Sequence, residues 1–154
     1  MKRLIITIAL FVSFALNSLG EEKTYFKEFS QTPSVGYTYV SPEMLAAMGE
    51  CTINSKNMSF STSNVKSLEK IEVFADDNVK RQVMKVANKI IKKEKLTTLA
   101  SESRTDMHSV TIMGRMDQKK KTVSCLLHIE TTHLGVNITY IKGDIPLNGF
   151  SIAY

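Results

Sequence analysis

Three histidines, two cysteines and a scatter of strand carboxylates are the side chains of this 154-residue chain that could carry chemistry. The histidines come first, because imidazole is the commonest transition-metal side chain. Their placement fits no zinc pattern: His128 falls on the opposite strand parity to Leu127 and Ile129, His133 lies in a turn, and His108 opens a different strand. A His128 and His133 pair would need a bent hairpin, and no carboxylate or thiolate stands at a spacing that completes a tetrahedral set. The sequence therefore predicts no metal and no cofactor, and reads these three as surface or hydrogen-bonded histidines. Met107, His108, Met113 and Met116 offer the thioether and imidazole ligands that suit Cu(I). Strand parity sends Met107 and Met113 one way and His108 and Met116 the other, so the methionines read as flexible core filler.

Carboxylates such as Glu69, Glu72, Glu130 and Asp144 are the raw material of general acid–base or glycoside chemistry. Nothing in their spacing brings them together, and they read as charged faces of strands. Serines occur without a Gly-x-Ser-x-Gly elbow, and no glycines group into a phosphate-cradling loop. No catalytic residue emerges, and the expectation is a protein that is not an enzyme.

Cys51 and Cys125 form a candidate disulfide if the compartment is oxidising, or remain two free thiols. Cys125 belongs to the alternating run Val123, Cys125, Leu127, Ile129 and should point into the core like a small apolar residue. No Cys-x-x-Cys or other thiol-catalyst signature surrounds either cysteine. Asn57-Met58-Ser59 and Asn137-Ile138-Thr139 match the glycosylation sequon, which has meaning in a eukaryotic secretory pathway and is ordinarily chance in a bacterium.

The compartment is written in the first twenty residues. Lys2 and Arg3 make a positive start, and Leu4 to Leu16 is apolar but for Thr7 and Ser13, about as long as a signal-peptide core and short for a bilayer span. Ser18 and Gly20 put small residues at minus three and minus one, so cleavage is expected between Gly20 and Glu21. No cysteine follows to accept lipid. The mature chain would hold 134 residues, with no transmembrane segment, in the periplasm or outside the cell. Removing Lys2 and Arg3 lowers the net charge from +5 to +3, too small a bias to argue for nucleic acid.

These side chains must be positioned by one domain, residues 21–154, of ordinary globular composition with 43% hydrophobic and 23% charged residues. Tyr25, Phe26 and Phe29 recur at helical spacing. Residues 35–40 (VGYTYV) read as a strand, and Ser41-Pro42 as the cap and first position of a short helix ending at Gly49. The Ser-, Asn- and Thr-rich stretch 50–66 reads as a polar loop, and 68–74 as a second strand. Val79, Val83, Val86, Ala87 and Ile90 predict an amphipathic helix over about 77–95. Its other face carries Lys80, Arg81, Lys85, Lys89, Lys92 and Lys93 and reads as solvated. Residues 96–101, 108–116, 122–131 and 135–141 read as a four-stranded antiparallel meander. The fold class expected is α+β, a mostly antiparallel sheet with the long helix and short N-terminal helices on one face.

The order of a signal peptide, an aromatic N-terminal element, VGYTYVSPEML at 35–45, SLEKIEVFADD at 67–77, a basic helix, a β meander and IKGDI at 141–145 resembles a family of small exported Bacteroidetes proteins. That family is classed as a domain of unknown function, number four-two-five-two. The resemblance implies export from a Gram-negative cell and a compact α+β domain, and it brings no catalytic residue. Residues 50–66 and the tail LNGFSIAY depart from the pattern.

The function expected is that of an exported noncatalytic module binding a protein, a peptide or another envelope component. The first strand, or the strand at 108–116, would offer its edge to a partner. The alternative is a carrier of small apolar ligands or lipid, with a cavity lined by Val83, Ile90, Leu127 and Ile138. The sequence carries no signature of an oligomeric state.

Overall fold

The computed structural model describes residues 23–50, 52–55, 58–104, 107–146 and 150–152. The expected signal peptide, its cleavage site and Cys51 lie outside the described residues. A 3-10 turn, Lys27–Phe29, leads into β1 (Val35–Val40) and α1 (Pro42–Met48). Then follow β2 (Thr52–Ser55), β3 (Met58–Ser61), a second 3-10 turn at Thr62–Asn64, β4 (Val65–Phe74) and α2 (Asp77–Glu94). The rest is β5 (Thr97–Ser103), β6 (Ser109–Asp117), β7 (Thr122–Thr132), β8 (Gly135–Pro146) and β9 (Phe150–Ile152). The class is α+β with mostly antiparallel pairing. No helix among the described residues is long and apolar enough to cross a membrane.

Six strands form the main sheet in the order β1-β4-β8-β7-β6-β5. The meander from β5 to β8 follows from short turns, such as Thr132 to Gly135, that force antiparallel neighbours. One correction concerns residues 50–66. The described residues there do not form one loop: β2 and β3 pair antiparallel, β9 adds a third strand, and β4 already begins at Val65. Polar composition misleads because strand pairing is satisfied by backbone groups, and here the tail supplies the missing neighbour.

α2 lies against one face of the main sheet. Asp76 caps it, its carboxylate accepting from the amides of Asn78 (3.1 Å) and Val79 (3.0 Å), and Lys95 ends it in the left-handed region. Val79, Val83, Ala87 and Ile90 bury against Ile71, Leu127, Ile138 and their neighbours, each large side chain contributing roughly 1.5–3 kcal/mol. Phe26 and Phe29 join the same cluster. α1 corrects the expectation that all helices share a face: its Leu45 buries with Val65, Leu68, Leu126 and Ile141 on the opposite side, where those rows of the sheet are apolar. Val123 also belongs to that second cluster, not with Cys125, because a β-bulge between them reverses the alternation.

Candidate functional site

Beyond Leu68, Ile141 and Leu126, the face away from α2 turns polar. β4, β8 and β7 are consecutive neighbours, so residues in register form rows across them. Glu72, Asn137 and Glu130 make one such row. Phe74, Gly135 and Thr132 make the next toward the hairpin turn, and Lys70, Thr139 and His128 the next toward the apolar end. Gly135 has no side chain, so the floor of this face sinks along β8. The result is a trough of about 220 Å³ walled by Glu72 and Phe74 on β4 and by Glu130 and Thr132 on β7, with Leu134 of the turn at its end. The closeness at Gly135 is enforced, since a Cβ there would lie 1.9 Å from the carbonyl oxygen of Val73.

The polar groups of the trough are only partly matched. Lys70 Nζ pairs with Glu72 Oε1 at 2.9 Å, and His108 Nε2 lies 3.0 Å from Glu130 Oε1. Glu130 is 9% exposed, so its carboxylate is held largely out of water. Asn137 Oδ1 is buried with no hydrogen-bond partner among the described residues. His128 is 1% exposed, and neither ring nitrogen has a partner there either. A buried orphan polar group ordinarily costs about 1–3 kcal/mol.

Burial pushes the His128 imidazole below its ordinary pKa; nearby Glu130 opposes the shift and Lys70 adds to it. The sign for stability follows. Above about pH 6.5 both states hold the ring neutral. Below that the unfolded chain takes the proton first, so stability falls with pH until the folded-state value is reached, by at most about 1.4 kcal/mol per pH unit. His128→Leu is expected to remove this component, so that urea unfolding at pH 5.5 and 7.5 differs less in the variant than in the parent. Equal differences would show that His128 does not carry the dependence.

A second polar cluster lies on the α2 side. Glu69 is 3% exposed, and its carboxylate accepts from the amides of Tyr25 (3.0 and 2.9 Å) and Phe26 (2.6 Å) and from the Tyr37 hydroxyl (3.1 Å). Burial, reinforced by that carboxylate, raises the Tyr37 phenol far above its ordinary value. Nearby, Cys125 is a buried thiol, with Sγ 3.7 Å from Tyr140 Oη, 3.6 Å from Arg115 Nη2 and 3.9 Å from Glu94 Oε2. Arg115 Nη1 pairs with Glu94 Oε2 at 3.2 Å, and Tyr25 packs edge-on against Tyr140. These contacts tie the N-terminal segment, the end of α2 and the sheet together. Their chemistry is that of an anchor.

The structure thus treats the sequence candidates unequally. Glu69 and Glu130 are not solvated strand charges but buried acceptors, and His128 is neither at the surface nor hydrogen-bonded to any described residue, because Ile112 and Thr139 flank it in a packed row. His133 stays in the exposed hairpin turn, and Asp144 is exposed. Met113 packs on the core, whereas Met107 and Met116 are exposed and fill nothing. Val83, Ile90, Leu127 and Ile138 pack within one core cluster. Among the described residues no three His, Cys, Asp or Glu side chains gather as a metal-holding set. Sequence reading missed the row of Glu72, Asn137 and Glu130; the available signal was the two-residue turn at 133–134, which sets Glu130 opposite Asn137.

The family described as Domain of unknown function (DUF4252) matches residues 26–151. No curated protein and no solved structure matches the chain.

Proposed function

Because this chain belongs to the DUF4252 family, whose description names a domain and no reaction, we propose its role from its own surfaces. It is an exported, noncatalytic binding module of a Gram-negative envelope, released by cleavage after Gly20, that takes an extended polypeptide as an added strand along β1. The observation that carries this reading is the position of β1 at one end of the six-stranded sheet, paired with β4 alone among the described strands. The Phe74 amide donates to Ser34 O at 3.0 Å, in register with the β1–β4 pairing. By the alternation of an antiparallel ladder, Gly36 and Thr38 then turn their backbone groups to β4, while Tyr37 and Tyr39 turn theirs outward. Six residues of edge give an incoming strand backbone hydrogen bonds of the kind that drive β-augmentation. The 108–116 strand is not an alternative edge, since β6 is paired on both sides, with β5 and β7.

The test expresses the full coding sequence with a C-terminal tag in a Gram-negative host. Mass spectrometry of the envelope fraction should find Glu21 as the first residue; an intact Met1 there would remove the export reading. Cross-linking should capture a partner, and Tyr37→Pro, which puts a ring in place of an edge N–H, should reduce that capture about tenfold relative to Tyr37→Phe, which loses the same hydroxyl contact with Glu69 but keeps the N–H. Capture by a folded Tyr37→Pro chain equal to that by Tyr37→Phe would exclude strand addition at β1.

A further inference from the structure

We propose that the trough along β8 is a binding site for an organic monocation, a guanidinium or primary ammonium carried on an apolar stem. This site stands apart from the β1 edge and does not depend on strand addition there. Three acceptors converge on it. Asn137 Oδ1 on the floor is buried and unpartnered, so the group that completes it must donate. Glu72 and Glu130 stand on either side of Asn137 in the same row. Each gives its Oε1 to a neighbour, Lys70 or His108, and a carboxylate has further lone pairs with which to accept from a ligand.

Charge favours a cation. Two carboxylates stand in the row and Lys70 pairs with only one of them, so an anion would meet both carboxylates whereas a cation meets opposite charge. The second sign of an unfilled polar site is His128, which continues the β7 wall one row beyond Glu130 on the same face, fully buried and unbonded.

Size and rim specify the rest of the ligand. A volume of about 220 Å³ is below the roughly 300–1,000 Å³ of common small-molecule pockets, and suits one head group with its stem. Phe74 (57% exposed) and Leu134 (64% exposed) stand at the hairpin end of the trough. There an apolar stem loses water on both sides, and the Phe74 ring can face the cation. A planar guanidinium matches separated carboxylate and amide acceptors better than a point charge does.

Titration of the full chain, labelled with ¹⁵N, with N-acetyl-arginine methylamide, agmatine and N-acetyl-citrulline methylamide tests the proposal. The citrulline compound keeps the planar shape but lacks the charge, and it has a carbonyl acceptor in place of one of the guanidinium's amino donors. The arginine compound or agmatine is expected to shift the amide signals of Glu72, Glu130 and Asn137 saturably, with the citrulline compound at least about tenfold weaker. Glu72→Gln, at a half-exposed position that does not threaten folding, should weaken cation binding about tenfold, and Phe74→Ala should weaken it less. Tighter binding of the arginine compound than of agmatine would assign the head group to a polypeptide side chain; the reverse order would assign it to a free amine. Equal shifts from citrulline, an unchanged affinity in Glu72→Gln, or no saturable shift up to about 10 mM would overturn the site.

Discussion

Glu69→Ala is expected to destabilise the folded chain by about 3–5 kcal/mol, because it removes the acceptor for two backbone amides and a phenol at once. The Phe26 amide, 2.6 Å from Oε1, belongs to a residue with no exposed surface. Without the carboxylate that amide must remain buried and unpaired, or Phe26 must leave the core. Either outcome loosens the attachment of the N-terminal segment, which is otherwise held by its aromatic packing on the sheet and α2. In urea, with a slope of about 1–3 kcal/mol/M for a domain of this size, the midpoint should fall by 1 M or more. Glu69→Gln keeps one acceptor oxygen and the side-chain shape and should lose roughly half as much. A midpoint for Glu69→Ala within about 0.3 M of the parent would mean that the segment is held by its aromatic packing alone.

Gly143→Ala is the second large effect, and Gly49→Ala is its control. Gly143 has φ +157° where β8 passes a bulge in β4, and a Cβ there would lie 2.1 Å from Asn64 O and 2.8 Å from the Val65 Cα. Those are backbone atoms, so relief requires moving β8 or the start of β4, both interior strands. Conformational strain and overpacking together should cost about 3–5 kcal/mol. Gly49 has φ +69° at the end of α1 with open space where a Cβ would stand, so the same change there carries strain alone, about 1 kcal/mol. At roughly 2–5 °C per kcal/mol for this length, thermal melts should separate the variants, Gly143→Ala falling by about 10 °C or more and Gly49→Ala by a few degrees. Similar losses in both would show that β4 and β8 have slack the bulge geometry conceals.

Parity was legible in the sequence and register was not. The alternation that puts Val136, Ile138 and Tyr140 on one face, and His128 opposite Leu127, is a property of each strand by itself and holds in the folded chain. Which residues stand beside one another depends on turn lengths and on four irregularities: between Val65 and Ser67, Thr98 and Ala100, Arg115 and Met116, and Val123 and Cys125. A single bulge moved Val123 out of the run that contains Cys125, and no residue type announces it. The buried carboxylates were hidden for another reason. Glu69 is accommodated by donors 30 to 45 positions away in the chain, and a residue's type alone gives it the solvent as its default neighbour.

The pairing of β3 with β9 also sets an order of events in time. Met58, Ser59 and Phe60 find their partners at Ile152, Ser151 and Phe150, so the small sheet cannot close until residues 150–152 have been made and released. The main sheet needs nothing beyond Pro146. A nascent chain can therefore assemble its large sheet while β3 still waits, and this long-range contact is formed late because its loop is the longest to close. Protection of residues 58–60 from hydrogen exchange is, in this protein, a marker that β9 has docked.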